Sequence, residues 1–204
     1  MENESTLAPK KMWVTISLIA ANFITYIINI ILAAKGVPVF DIFSDNYVPI
    51  ITDHEYYRLL TCMFVHAGTD HLINNMMVLL VIGSRYEIAE GHINTIISYF
   101  SGGILAGIVS MLYNMFNNTY TGSVGASGAI FALVGAFMAA LVIHKGRLAG
   151  ISTRQMIVFA AFSLYGGFAN ANTDNIAHIS GLILGFLTGL VVSAVRRMIK
   201  KKEH

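Results

Sequence analysis

The chain has 204 residues, 55% of them hydrophobic and only 12% charged, with a mean hydropathy of +0.66. That balance excludes an ordinary soluble globular domain, and a net charge of +2 carried at the edges of apolar runs gives no face for nucleic acid. One cysteine, Cys62, excludes an intramolecular disulfide, a cysteine zinc cluster and a redox pair.

The fold class expected is all-α: a polytopic membrane protein built as a bundle of six transmembrane helices. Residues 1–11 are a polar tail. Met12 to Ala34 then supplies the ~20 apolar residues that cross a bilayer. The run exceeds a secretory apolar region of about 7–15 residues, and Leu32-Ala33-Ala34 is a poor cleavage site, so it reads as a retained first helix. Residues 35–69, with Pro38, Pro49 and four acidic residues among Phe and Tyr, form a long, partly buried outer loop. Further spans are predicted at about Asp70 to Ser84, Ile93 to Met115, Ser127 to Ile143, Arg154 to Phe168 and Ile176 to Val195. Several are short for free-standing spans, which is tolerated where helices are buried among others or line a wet cavity. This gives one membrane domain over 12–195 and a basic tail over 196–204.

Charge sets the orientation. Lys10, Lys11, Arg85, Lys145, Arg147, Arg154, Arg196, Arg197 and Lys200 to Lys202 fall on one side of such a bundle, eleven of the thirteen basic residues. Basic loops face the cytoplasm, so both termini are expected there. Ser127 then starts a helix descending from the outer face, and His178 lies just below the outer loop 170–175. Both belong in the outer third of the bilayer.

A hydroxyl and an imidazole in hydrocarbon are costly enough to read as functional, with Ser127 as nucleophile and His178 as its base. At 100° per residue, His178, Gly185 and Gly189 share a stripe with Gly181 beside it, while Gly128, Ala132 and Gly135 make a small-residue strip next to Ser127. Such faces let membrane helices approach closely. Packing alone would explain an isolated serine there; His178 at matched depth adds the chemistry. His71 and Asn75, four apart on one helix face, are candidate hydrogen-bond donors for the oxyanion of an acyl transfer, or alternatively partners for each other or for the loop.

Gly125-Ala126-Ser127-Gly128, with Ala177-His178 through Gly181 to Gly185, resembles the GxSG and AHxxGxxxG motifs of the rhomboid intramembrane serine proteases. His66 to Asn75 resembles their HxxxxHxxxN segment, and Gly83, Glu87 and Gly91 match GxxxExxxG. The resemblance implies Ser127 as nucleophile and His178 as general base and acid. It implies His71, Asn75 and the Ser127 amide as oxyanion donors, with no acidic third member. It assigns Glu87 a structural place near the cytoplasmic helix ends, and Tyr57-Arg58 stands where the family often has Trp-Arg. Phe131 stands where some members carry a Tyr beneath the histidine. The implied protein is bacterial, set in the inner (plasma) membrane, and cuts transmembrane protein substrates near the outer face. No cofactor or metal is implied, and the partners are those substrates and the lipid bilayer, without nucleic acid. Ala is the expected residue before the cut, and Phe159 and Phe162 on the fifth helix are the expected substrate gate.

Rival chemistries fit less well. His54-Glu55 lacks the second histidine of HExxH, and Ala129 stands where GxSxG needs glycine. A transport pathway would carry polar groups through the membrane, and here they stop in its outer third.

Overall fold

Long apolar runs become long helices, and the proline-containing loop becomes a chain of short ones. The computed structural model describes residues 12–170 and 173–202; the polar tail over 1–11 lies outside them. Helix α1 spans Trp13–Ala34. Residues 35–69 hold α2 (Val39–Phe43), α3 (Tyr47–Thr52) and α4 (Arg58–Thr61), which runs into a 3₁₀ turn at Cys62–Phe64. Arg58 knits this loop together, because its buried guanidinium pairs with Glu55 and donates to the carbonyls of Asp41 and Ser44 at 2.6 and 3.3 Å.

The second predicted span is longer than its apolar pattern. Helix α5 (Thr69–Val78) passes through a π-helical turn at Leu79–Gly83 into α6 (Ser84–Glu90). The polar sequence after Ser84 stays helical because its carboxylates have partners inside the protein. Glu87 accepts hydrogen bonds from the Val14 and Thr15 amides at 2.9 and 2.8 Å and from the Thr15 hydroxyl at 2.6 Å, and is paired with His92. A helix start has unpaired amides and a partial positive charge, so this carboxylate caps α1 from another element. Glu90 is held by His144 at 3.0 Å.

Helix α7 spans His92–Phe116 and α8 spans Ser127–Ile143, the bounds of α8 falling where the sequence puts them. A two-residue hairpin follows, β1 (Arg147–Leu148) antiparallel to β2 (Ile151–Ser152), with Arg147 opposite Ser152. Ser152 and Gln155 then form a capping box that starts α9 (Thr153–Phe168). Helix α10 runs Asn175–Lys202.

Helix α8 is the centre of the molecule. It is apolar all round, which suits a place out of water on every side; nearly every residue from Ala129 to Leu141 is covered, with α7 and α10 packed along it. Tyr86 meets Phe137 edge-on at 6.1 Å, and Tyr99 is wholly enclosed. The outer surface is apolar instead, with Ile24, Ile27, Phe162 and Val191 all exposed. Lipid solvates such side chains as well as protein does. Among the described residues Trp13–Ala34, His92–Phe116 and Asn175–Ile199 are long and apolar enough to cross a membrane, and the chain is a multi-pass membrane protein. At 1.5 Å per residue, the seventeen residues of α8 reach about 25 Å, short of a ~30 Å hydrocarbon core.

Candidate active site

Glycine brings the two site-bearing helices together. A methyl group added at Gly181 would collide with the carbonyl of Gly128, at Gly185 with the backbone of Ala132, and at Gly189 with that of Ala136. Gly135 in turn faces the Leu182 carbonyl. The two strips seen in the sequence are thus one contact, backbone against backbone, and Gly128 sits a residue after Ser127 while Gly181 sits three after His178.

That contact sets the depth of the imidazole. His178 is buried and stacks on Phe131, with ring centroids 4.4 Å apart and planes 24° from parallel. Phe131 is one helical turn after Ser127, on the same face. Nδ1 of His178 is buried without a hydrogen-bond partner among the described residues and faces Gly167 of α9, where an added methyl would be 3.1 Å away. Asp174 does not take that nitrogen. Its Oδ1 accepts from the Ala177 amide at 2.8 Å, capping α10, and its Oδ2 accepts from the Ser110 hydroxyl at 2.5 Å.

His71 and Asn75 converge on Gly125, two residues before Ser127. Gly125 has φ +126°, which side chains rarely adopt, and a Cβ there would lie 2.7 Å from His71 Cε1, 2.8 Å from His71 Nε2 and 3.7 Å from Asn75 Nδ2. Glycine is required twice, by conformation and by space. Nδ2 of Asn75 is buried with no hydrogen-bond partner among the described residues, so two side-chain donors point at the backbone just before Ser127. A cavity of about 30 Å³ beside Ser127 is lined by Asp45, Cys62, Gly103, Gly107, Ser123 and Gly125, among others. It has room for about one water-sized group.

The remaining predicted residues separate. Glu87 is buried at the far end of its helix, at the start of α1. Phe159 packs against the core, whereas Phe162 is 74% exposed on the outer side of α9.

Sequence reasoning missed how the segment before Ser127 is hung. The Gly125 amide donates to the Cys62 carbonyl at 2.9 Å, and the Ala126 amide reaches His66 Nε2 at 3.5 Å. Burial, with His71 close by, pushes His66 down to about 4. It is therefore neutral at pH 7, accepting through Nε2 while Nδ1 meets the Phe64 carbonyl at 3.3 Å. Asp45 holds Ser123 through both its backbone and its carboxylate. His66 lies inside a recognisable motif; Asp45 has no local signal, because its partner is seventy-eight residues away.

The family model for the Rhomboid domain matches residues 53–195. RHOMBOID-like protein 1 of Arabidopsis thaliana is 36% identical over 146 residues, 70% of this chain and 36% of that protein. RHOMBOID-like protein 2 of the same plant is 37% identical over 147 residues, covering 70% and 44%. Rhomboid protease GluP of Bacillus subtilis (strain 168) is 38% identical over 138 residues, covering 67% and 26%. The matched region spans less than half the length of each of these three relatives. With the Rhomboid domain matched over most of its length, this chain belongs to the rhomboid family.

Proposed function

We propose that the chain is an intramembrane serine protease. Ser127 Oγ attacks a peptide carbonyl of a transmembrane substrate while His178 Nε2 takes the hydroxyl proton. The C–N bond breaks as His178 returns that proton to the leaving amine, giving an ester on Ser127. Water from the outer face then gives a proton to His178 and attacks the ester, releasing the acid and restoring the serine. Stacking of His178 on Phe131, one turn from Ser127, is the observation that carries this reading. Since Nδ1 faces α9, Nε2 is the nitrogen left for the serine. His71, Asn75 and the Ser127 amide, at a helix start where amides lack an intrahelical partner, receive the oxyanion.

The rest of the reading rests on depth, charge and family. Six spans with both termini cytoplasmic in a bacterial plasma membrane put the dyad near the outer face. A substrate helix arrives sideways, beside α9, with Phe159 and Phe162 as gate. The small-residue surround of Ser127 favours Ala before the cut.

A serine-reactive fluorophosphonate should label the protein in membranes and should not label Ser127→Ala. Labelling that persists in Ser127→Ala ends the serine-protease reading. The donors should show a graded loss: His71→Ala and Asn75→Ala each lower kcat by about 10- to 1000-fold on a fluorogenic substrate. Asn75 Nδ2 gives up no protein hydrogen bond, so that loss is expected with little change in melting temperature. An unchanged kcat with weaker binding would move both residues to substrate recognition.

A further inference from the structure

Asp45 is nearly fully buried in the loop after α2, yet no step above uses it. Its amide donates to the Ser123 carbonyl at 3.2 Å, and its Oδ1 accepts from the Ser123 amide. Ser123 is thereby gripped on both its backbone groups. Only Val124 then separates it from Gly125 and Ala126, which are themselves bonded to Cys62 and His66. The other carboxylate oxygen faces Gly107, where an added methyl would be 3.7 Å away, and Asp45 lines the same cavity as Ser127.

We propose that Asp45 is a positioning residue: its pair of hydrogen bonds to Ser123 fixes the 123–127 segment, and so sets where Gly125 and the Ser127 amide stand relative to His71 and Asn75. The role rests on the protease reading, because it is the oxyanion donors whose geometry Asp45 controls. Three residues separate the grip from the nucleophile, and a loop shifted by about 1 Å at a reacting centre costs on the order of 100-fold in rate.

The charges around Asp45 say which form of the carboxyl grips. Asp174 at the start of α10 and the buried Cys62 thiol face it, and Arg58 spends its guanidinium on Glu55 and on the Asp41 and Ser44 carbonyls. Burial first, with Asp174 adding to it, pushes the Asp45 carboxyl up to about 7 despite the Ser123 amide. The folded state thus favours the protonated acid. The associated stability is complete at low pH and is lost as pH rises from the usual carboxylate range through about 7. Asparagine keeps an acceptor oxygen, the shape and neutrality. Leucine keeps the shape alone.

The test compares Asp45→Asn, Asp45→Leu and Asp45→Ala in the full chain, reading the rate of fluorophosphonate labelling, kcat and KM on a fluorogenic substrate, and melting temperature against pH. Asp45→Asn should label within about threefold of the wild type and lose the fall in stability between pH ~4 and ~7. Asp45→Leu and Asp45→Ala should label about 10- to 100-fold more slowly, with kcat falling and KM held. Wild-type labelling in both Leu and Ala overturns the role. So does an equal loss in Asn and Leu, or a loss that only tracks the unfolded fraction in the melts. If the wild type itself is not labelled, the protease reading fails, and the positioning role fails with it.

Discussion

Ser127→Ala and His178→Ala are each expected to remove cleavage of a transmembrane substrate in vesicles, by about 10³-fold or more, and the double variant to be no worse than either. Non-additivity is the signature, because a nucleophile without its base and a base without its nucleophile are equally idle. The two should differ in stability. Ser127 stands partly buried at the first turn of α8, and its alanine variant loses only a hydroxyl, so it should melt within a few degrees of the wild type. His178→Ala empties a stacked ring from a buried site and should cost about 1–3 kcal/mol, read as a lower melting temperature. Residual cleavage in the double variant above that of the singles would mean that a different group attacks the peptide.

The second large effect falls on the fold. Gly185→Leu should leave no folded protein, and Gly185→Ala should cost about 3 kcal/mol or more, at the top of the range for overpacking. A side chain there meets the Ala132 backbone, which has no rotamer to escape into, on a helix itself enclosed by α7 and α10. Gly166→Ala is the internal control: nothing lies within 4 Å of the added methyl, and it should be neutral or stabilise by up to ~1 kcal/mol through helix propensity. Melts of the two alanine variants decide the matter, and equal stabilities would show that α8 and α10 can separate without cost.

The helix of Ser127 was legible to the residue, because an abrupt change from polar loop to uniform apolar run marks both its ends. The glycine stripes were legible for a related reason, since helical spacing converts sequence intervals into faces. Two kinds of feature were not. The helix continuing from Ser84 to Glu90 reads as polar sequence, and only the three donors from Val14 and Thr15 explain why Glu87 can be enclosed. Likewise Asp45 is one of four acids in a loop, distinguished by a contact to Ser123, which follows only after α3 to α7 have been added. Local pattern identifies what each residue could do; pairing at long range decides which of them does it. Asp174 lies one turn before His178 in sequence, and its two oxygens are engaged by Ser110 and Ala177 rather than by the imidazole.

The π turn at Leu79–Gly83 bears on how one rod serves two ends of the molecule. Twelve α-helical steps from Asn75 would leave Glu87 about 120° away around the axis. A π turn absorbs one residue, and with eleven effective steps the difference shrinks to about 20°. Asn75 and Glu87 are both buried, one against the approach to the serine and the other against the start of α1. The five residues of the turn act as a phase shifter, rotating the C-terminal half of the rod into azimuthal agreement with the N-terminal half. Counting residues between the two motifs would therefore mislead; it is the angular offset, corrected by that single slipped residue, that lets a carboxylate in one half of the rod and a carboxamide in the other look toward the same axis.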